Sequence, residues 1–188
     1  AELDGSLVAA KVYKINTHGV EYAREACVEE AKMHAYLQQQ SVKKYNQYVL
    51  PLLLSFCVPA RDLYINVFAC GTQSLYRYVH RCDLDRMAQG DAVSIMHQVL
   101  KGLAWLHSCG VAHCDLSTGN IVQTRDGQWC IIDLGACKIM KGAPCVQACR
   151  CDRVTCRMND QYVCSRWYRS PEVILRTHAP GYHMDVWS

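Results

Sequence analysis

Leu7-Val8-Ala9-Ala10-Lys11-Val12-Tyr13 is an apolar run broken by a single lysine, and it predicts a strand. From Glu21 to Gln40 the spacing turns helical, with Ala26, Met33 and Leu37 set among charges. Tyr48–Phe56 and Leu63–Phe68 are further apolar runs of strand length. A short helix is expected from Leu75 to His80, and a longer one over Ala92–His107. There Ile95, Met96, Val99, Leu100, Leu103 and Leu106 form a broad stripe that reads as core. Gly110 suits the left-handed residue that closes such a helix. Ile121-Val122 and Trp129-Cys130-Ile131-Ile132 then flank Gln123-Thr124-Arg125-Asp126-Gly127, and Asp-Gly between apolar runs predicts a hairpin.

That hairpin changes the picture, because it folds two polar loops back onto one end. The first carries His113-Cys114-Asp115 and Asn120, the second Asp133-Leu134-Gly135. Three acidic or amide side chains gathered this way suit one task. Asp115 can orient an attacking hydroxyl and accept its proton, while Asn120 and Asp133 hold divalent ions against a polyphosphate.

Composition narrows the setting. A chain of 188 residues with 51% apolar content can bury one sizeable core or two small lobes. A net charge of +3 gives no basis for a nucleic-acid or membrane surface. No apolar run is long enough to span a bilayer, and Ala1–Gly5 shows no signal-peptide pattern. Without an initiator Met, the chain is expected to be a fragment or a trimmed product. Its 13 cysteines are an odd count, and Cys57, Cys70 and Cys130 lie inside apolar runs. They read as reduced thiols of an intracellular protein, in the cytoplasm or the nucleus. Cys145, Cys149, Cys151 and Cys156 cluster in one loop that could hold zinc, although their spacing is not a paired C-x-x-C.

His-x-Asp-Leu-x-x-x-Asn followed by Asp-Leu-Gly resembles the catalytic and metal-binding loops of a eukaryotic-type protein kinase. Arg166-Trp167-Tyr168-Arg169-Ser170-Pro171-Glu172 resembles the end of the activation segment in the group of cyclin-dependent, MAP, glycogen synthase and DYRK-type kinases. The resemblance implies an α+β, two-lobed fold. Its small β-rich lobe would run over 1–70 without a Gly-rich loop, and the first half of a helical lobe over 71–188. It implies ATP and Mg²⁺ as cofactors and a protein hydroxyl as acceptor. Lys11 would grip the α- and β-phosphates, paired with Glu30 from the helix, with Glu29 and Glu25 as alternatives. Ala9, Phe68 as gatekeeper, Ala69, Gly71 and Val122 would line the nucleotide. Tyr162 would be the phosphorylated tyrosine, with Arg166 and Arg169 as cations for its phosphate. Asp185 would brace the catalytic loop, and Glu172 would pair with an arginine beyond residue 188.

Departures from the family pattern are informative. Cys114 stands where most kinases have Arg, and Asp160 stands where a MAP kinase carries its phosphorylated Thr. Ser117 replaces the Lys that stabilises the transferring phosphoryl group, a loss worth roughly 2–4 kcal/mol. His34 falls where the family packs an apolar residue. The readings are therefore a Ser/Thr protein kinase, slowed by Ser117, or a pseudokinase that binds nucleotide or partners. A small-molecule phosphotransferase of the aminoglycoside-kinase type is disfavoured by Ser170-Pro171-Glu172 and Asp185-Val186-Trp187. These 188 residues on their own are expected to be inactive.

Overall fold

The computed structural model describes residues 2–3, 5–14, 19–40, 46–81, 89–140, 165–175 and 181–188. Tyr162, Asp160 and the cysteines from Cys145 to Cys156 lie outside them.

A four-stranded antiparallel sheet forms first, in the order β1-β2-β4-β3. Its strands are β1 (Glu2–Leu3), β2 (Ser6–Tyr13), β3 (Leu52–Val58) and β4 (Leu63–Ala69). The register of β2 on β4 sets Lys11 opposite Asn66 and Ala9 opposite Phe68. Helix α1 (Gly19–Gln40) packs on β4 and on the turn that follows Asp133.

The strand expected from Tyr48 begins only at Leu52. Pro51 has no N–H to give a ladder, so the preceding residues pair elsewhere. Leu50 N donates to Ile131 O at 2.9 Å, and Ile131 N donates to Tyr48 O at 2.8 Å. This detour stitches the first sheet to the second, which runs β5 (Gln73–Ser74), β7 (Ile121–Gln123), β8 (Trp129–Ile131). Helices α2 (Leu75–Arg81) and α3 (Gln89–Ser108) precede the short pair β6 (Val111–Ala112) and β9 (Lys138–Ile139). Two short helices, α4 (Pro171–Ile174) and α5 (Tyr182–Trp187), complete the described residues. The expected hairpin forms, with Gly127 at φ +81°, a conformation that costs glycine little.

One core spans the junction. Met33 and Leu37 of α1 pack with Ile95, Val99, Leu103 and Leu106 of α3, and with Ile131 and Leu134 from the hairpin side. Each fully buried leucine in this cluster contributes roughly 1.5–3 kcal/mol. The α3 stripe is narrower than its sequence suggests. Ile95, Val99, Leu103 and Leu106 are buried, whereas Met96 and Leu100 are 53% and 54% exposed. They sit one residue, about 100° of helix rotation, past the buried row. Of the cysteines read as small hydrophobes, Cys130 is buried, which pushes its thiol up to about 11, while Cys57 is exposed.

Candidate functional site

The junction brings residues from both sheets together. Lys11 projects from β2, and its Nζ donates to Glu30 Oε1 at 3.0 Å and to Asp133 Oδ1 at 2.7 Å. Among the glutamates considered for this pairing, Glu30 is fully buried, Glu25 is exposed, and Glu29 pairs at the surface with Lys32. Burial pulls the Lys11 ammonium down, but Glu30 and Asp133 outweigh it and hold its pKa above that of an ordinary lysine. Burial likewise pushes the Asp133 carboxyl up. Lys11 overrides this, aided by the Gly135 N–H, and keeps it below the usual range.

Asp115 lies on the loop after β6. Its Oδ1 accepts from Ser165 N at 2.8 Å and from Ser165 Oγ at 3.0 Å. Asn120 closes the same loop in the short turn Thr118–Asn120, and its Nδ2 donates to the Asp115 carbonyl at 2.8 Å. That bond turns the amide nitrogen inward, so the amide oxygen is the atom this side chain can present to a metal ion. Ile132 N donates to Asn120 O at 2.9 Å, so the hairpin returns the chain to Asn120 one residue before Asp133.

The loop is braced from beneath. Asp185 accepts from His113 N, Cys114 N and the His107 ring, each at 2.8 Å. His113 reaches Ile132 O with Nε2 at 3.0 Å while its Nδ1 accepts from Asp115 N at 3.3 Å, an arrangement that requires the proton on Nε2. Cys114 and Asp133 take φ values of +64° and +63°. Cys114 precedes the Asp115 carboxylate and Asp133 carries the other, so left-handed backbone at these two positions marks a site whose geometry is imposed by its surroundings.

Phe68, Ala69 and Val122 belong to one small apolar cluster with Leu50 and Cys130, at the wall between the sheets. Gly71 runs so close to β7 that a Cβ there would meet Gln123 O at 3.1 Å. Ala9 is exposed on β2, across the ladder from Phe68. Arg166 is exposed and Arg169 half-buried, on the segment that delivers Ser165 to Asp115. Glu172 meets His183 Nε2 at 3.1 Å.

His34 is buried one turn beyond Glu30, with its ring 5.5 Å from that of Phe68. Burial holds its pKa down to about 4, from 6.5. Because the unfolded chain takes up the proton first, stability is full above pH 6.5 and is lost as pH falls towards 4. The expected loss is about 3 kcal/mol. Urea unfolding at neutral pH and at about pH 4.5 should show the natural protein losing more stability than His34→Leu by about 2–3 kcal/mol. Equal losses would remove His34 from this account.

Sequence reasoning missed three participants. Ser165 carried no spacing signal. Tyr13 carried one, since it lies two residues from Lys11 on the same strand face. Asn66 was visible as a polar residue inside the apolar run Leu63–Phe68.

Comparison with known proteins gives sequence matches along the chain. The sequence model described as Protein kinase domain matches residues 1–188. A probable serine/threonine-protein kinase MRK1 homolog of Encephalitozoon cuniculi is 33% identical over 95 residues, 50% of this chain and 26% of that protein. Mitogen-activated protein kinase 13 of Homo sapiens is 35% identical over 94 residues, 50% of this chain and 22% of that protein. Mitogen-activated protein kinase mpkC of Aspergillus oryzae is 30% identical over 133 residues, 71% of this chain and 33% of that protein. The matched stretches thus span about a fifth to a third of these relatives.

Proposed function

The chain belongs to the protein kinase domain family, and from that premise we propose that the protein transfers the γ-phosphate of ATP to a serine or threonine hydroxyl of a protein. The observation that carries this reading is the Lys11 ammonium, bridging Glu30 and Asp133 beside the Asp115–Asn120 loop. Similarity to named serine/threonine and mitogen-activated protein kinases supports the acceptor class.

In this reading Lys11 grips the α- and β-phosphates and Glu30 fixes the lysine. Ala9, Phe68, Ala69, Gly71 and Val122 line the nucleotide. Asp115 Oδ1 accepts two short bonds from Ser165, while Oδ2 has one long one, from Asn120 Nδ2 at 3.4 Å, so Oδ2 is the oxygen that orients the acceptor hydroxyl and takes its proton. The amide oxygen of Asn120 and the carboxylate of Asp133 are hard oxygen donors, which suit Mg²⁺. Bound there, the ion would neutralise charge on the phosphates. Tyr162, with Arg166 and Arg169 as cations for its phosphate, would order the activation segment in place of the missing phosphothreonine. An intracellular location, in cytoplasm or nucleus, goes with this function. Among the described residues no helix is long and apolar enough to cross a membrane.

Cys114 and Ser117 support a second reading, a pseudokinase that binds nucleotide or partners without efficient transfer. The first reading requires a nucleotide site. ATP binding to the intact protein is expected to weaken by at least about tenfold when Mg²⁺ is chelated, and Asp133→Ala is expected to abolish the dependence. Affinity indifferent to Mg²⁺ in the natural protein would contradict the assigned ligands. Binding with no transfer to protein would favour the pseudokinase.

A further inference from the structure

Glu30 has more partners than the family pairing with Lys11 requires. Its Oε1 takes the Lys11 ammonium, but its Oε2 accepts from two neutral donors, the Tyr13 hydroxyl and Asn66 Nδ2, the latter at 2.9 Å. Glu30 and Asn66 are both fully buried. Tyr13 shares a strand face with Lys11, and Asn66 sits directly across the β2–β4 ladder from Lys11, so backbone register alone delivers both donors to this carboxylate.

Asn66 is itself fixed. Its Oδ1 accepts from Ser55 Oγ at 2.7 Å and from Cys27 Sγ at 3.2 Å, while its Nδ2 also donates to the Cys27 carbonyl at 3.2 Å. The Glu30 carboxylate and the Cys27 carbonyl can only accept, so only the amide nitrogen can face them. Cys27 lies one turn before Glu30 on α1, so Asn66 ties β4 to the helix at two successive turns.

We propose that Tyr13 and Asn66 are positioning residues that latch Glu30, and with it α1, onto the small sheet independently of Lys11. The proposal rests on the phosphotransfer reading for its consequence. Lys11 is divided between Glu30 and Asp133, and a polyphosphate would draw on the same ammonium. Because Oε2 is held by donors that do not pass through Lys11, the helix keeps its anchor whatever the lysine binds. A buried carboxylate deprived of such donors is left partly unsatisfied, which lowers the cost of undocking the helix.

Amide hydrogen exchange of the intact protein without nucleotide tests the latch directly. Asn66→Asp keeps shape but turns a carboxylate towards Glu30, and Tyr13→Phe removes only the hydroxyl. Each should speed exchange of the α1 amides around Glu30 by about tenfold or more, leave α3 unchanged, and exceed the effect of Lys11→Met. Unchanged α1 exchange in both variants, or a larger effect from Lys11→Met, would overturn the latch. Kinetics separate positioning from packing. Tyr13→Phe should lower kcat/KM for ATP about tenfold beside Glu30, and cause no further loss beside Glu30→Ala. An equal loss in both backgrounds would overturn the positioning role. Absence of phosphate transfer in the natural protein would instead overturn the proposed function, with the exchange result still deciding the latch.

Discussion

Lys11→Met is expected to lower kcat/KM for ATP by about a hundredfold or more while the protein still folds. The ammonium is the sole charge that meets both Glu30 and Asp133 in the described contacts, at 3.0 and 2.7 Å. Methionine keeps the apolar stem of the lysine, one atom short of the nitrogen, but supplies neither hydrogen bond. Two charge-assisted contacts to a phosphate group are ample for a loss of that size, since each factor of ten corresponds to about 1.4 kcal/mol. Folding should survive because Oε2 of Glu30 retains Tyr13 and Asn66. Steady-state kinetics beside a thermal melt of the intact protein separate the two effects. Activity within a few-fold of the natural protein would remove Lys11 from the site.

Asp115→Asn is expected to act on a different step. It should reduce kcat by roughly 10²–10⁴-fold and leave ATP affinity nearly unchanged. Asparagine can present the same acceptor oxygen to Ser165 N and Oγ, so the loop geometry should persist. What it lacks is a base to take the hydroxyl proton, and this loss appears only as transfer proceeds. Measuring nucleotide binding and phosphate incorporation on one preparation distinguishes the cases. A parallel fall in binding would mean that Asp115 serves the structure of the loop.

The parts of this site that were legible in the sequence share one property, a fixed chain spacing enforced by local structure. Asp115, Asn120 and Asp133 could be gathered on paper because an Asp-Gly hairpin closes between the last two, and the hairpin forms as read. Glu30 needed the register of a long helix, and its neighbours Glu25 and Glu29 stayed open until the helix face was seen. What stayed hidden depends on contacts between distant elements. Ser165 meets Asp115 across 50 positions of chain, and Asn66 meets Glu30 across 36. No periodicity carries that information. The misplaced start of β3 is different in kind, because Pro51 was a readable signal that an otherwise apolar run overrode. The over-wide α3 stripe shows the limit of composition: leucine and methionine at positions 100 and 96 have core chemistry but lie outside the buried row.

The central claim is that this junction moves a phosphoryl group onto protein. It is tested most directly by incubating the intact protein with γ-labelled ATP and Mg²⁺ and identifying the labelled amino acids in itself and in a generic protein substrate. The account predicts label on serine or threonine, accumulating slowly because Ser117 stands where the family keeps a lysine. Saturable ATP binding with no label on any protein would contradict it and leave a nucleotide-binding scaffold in its place.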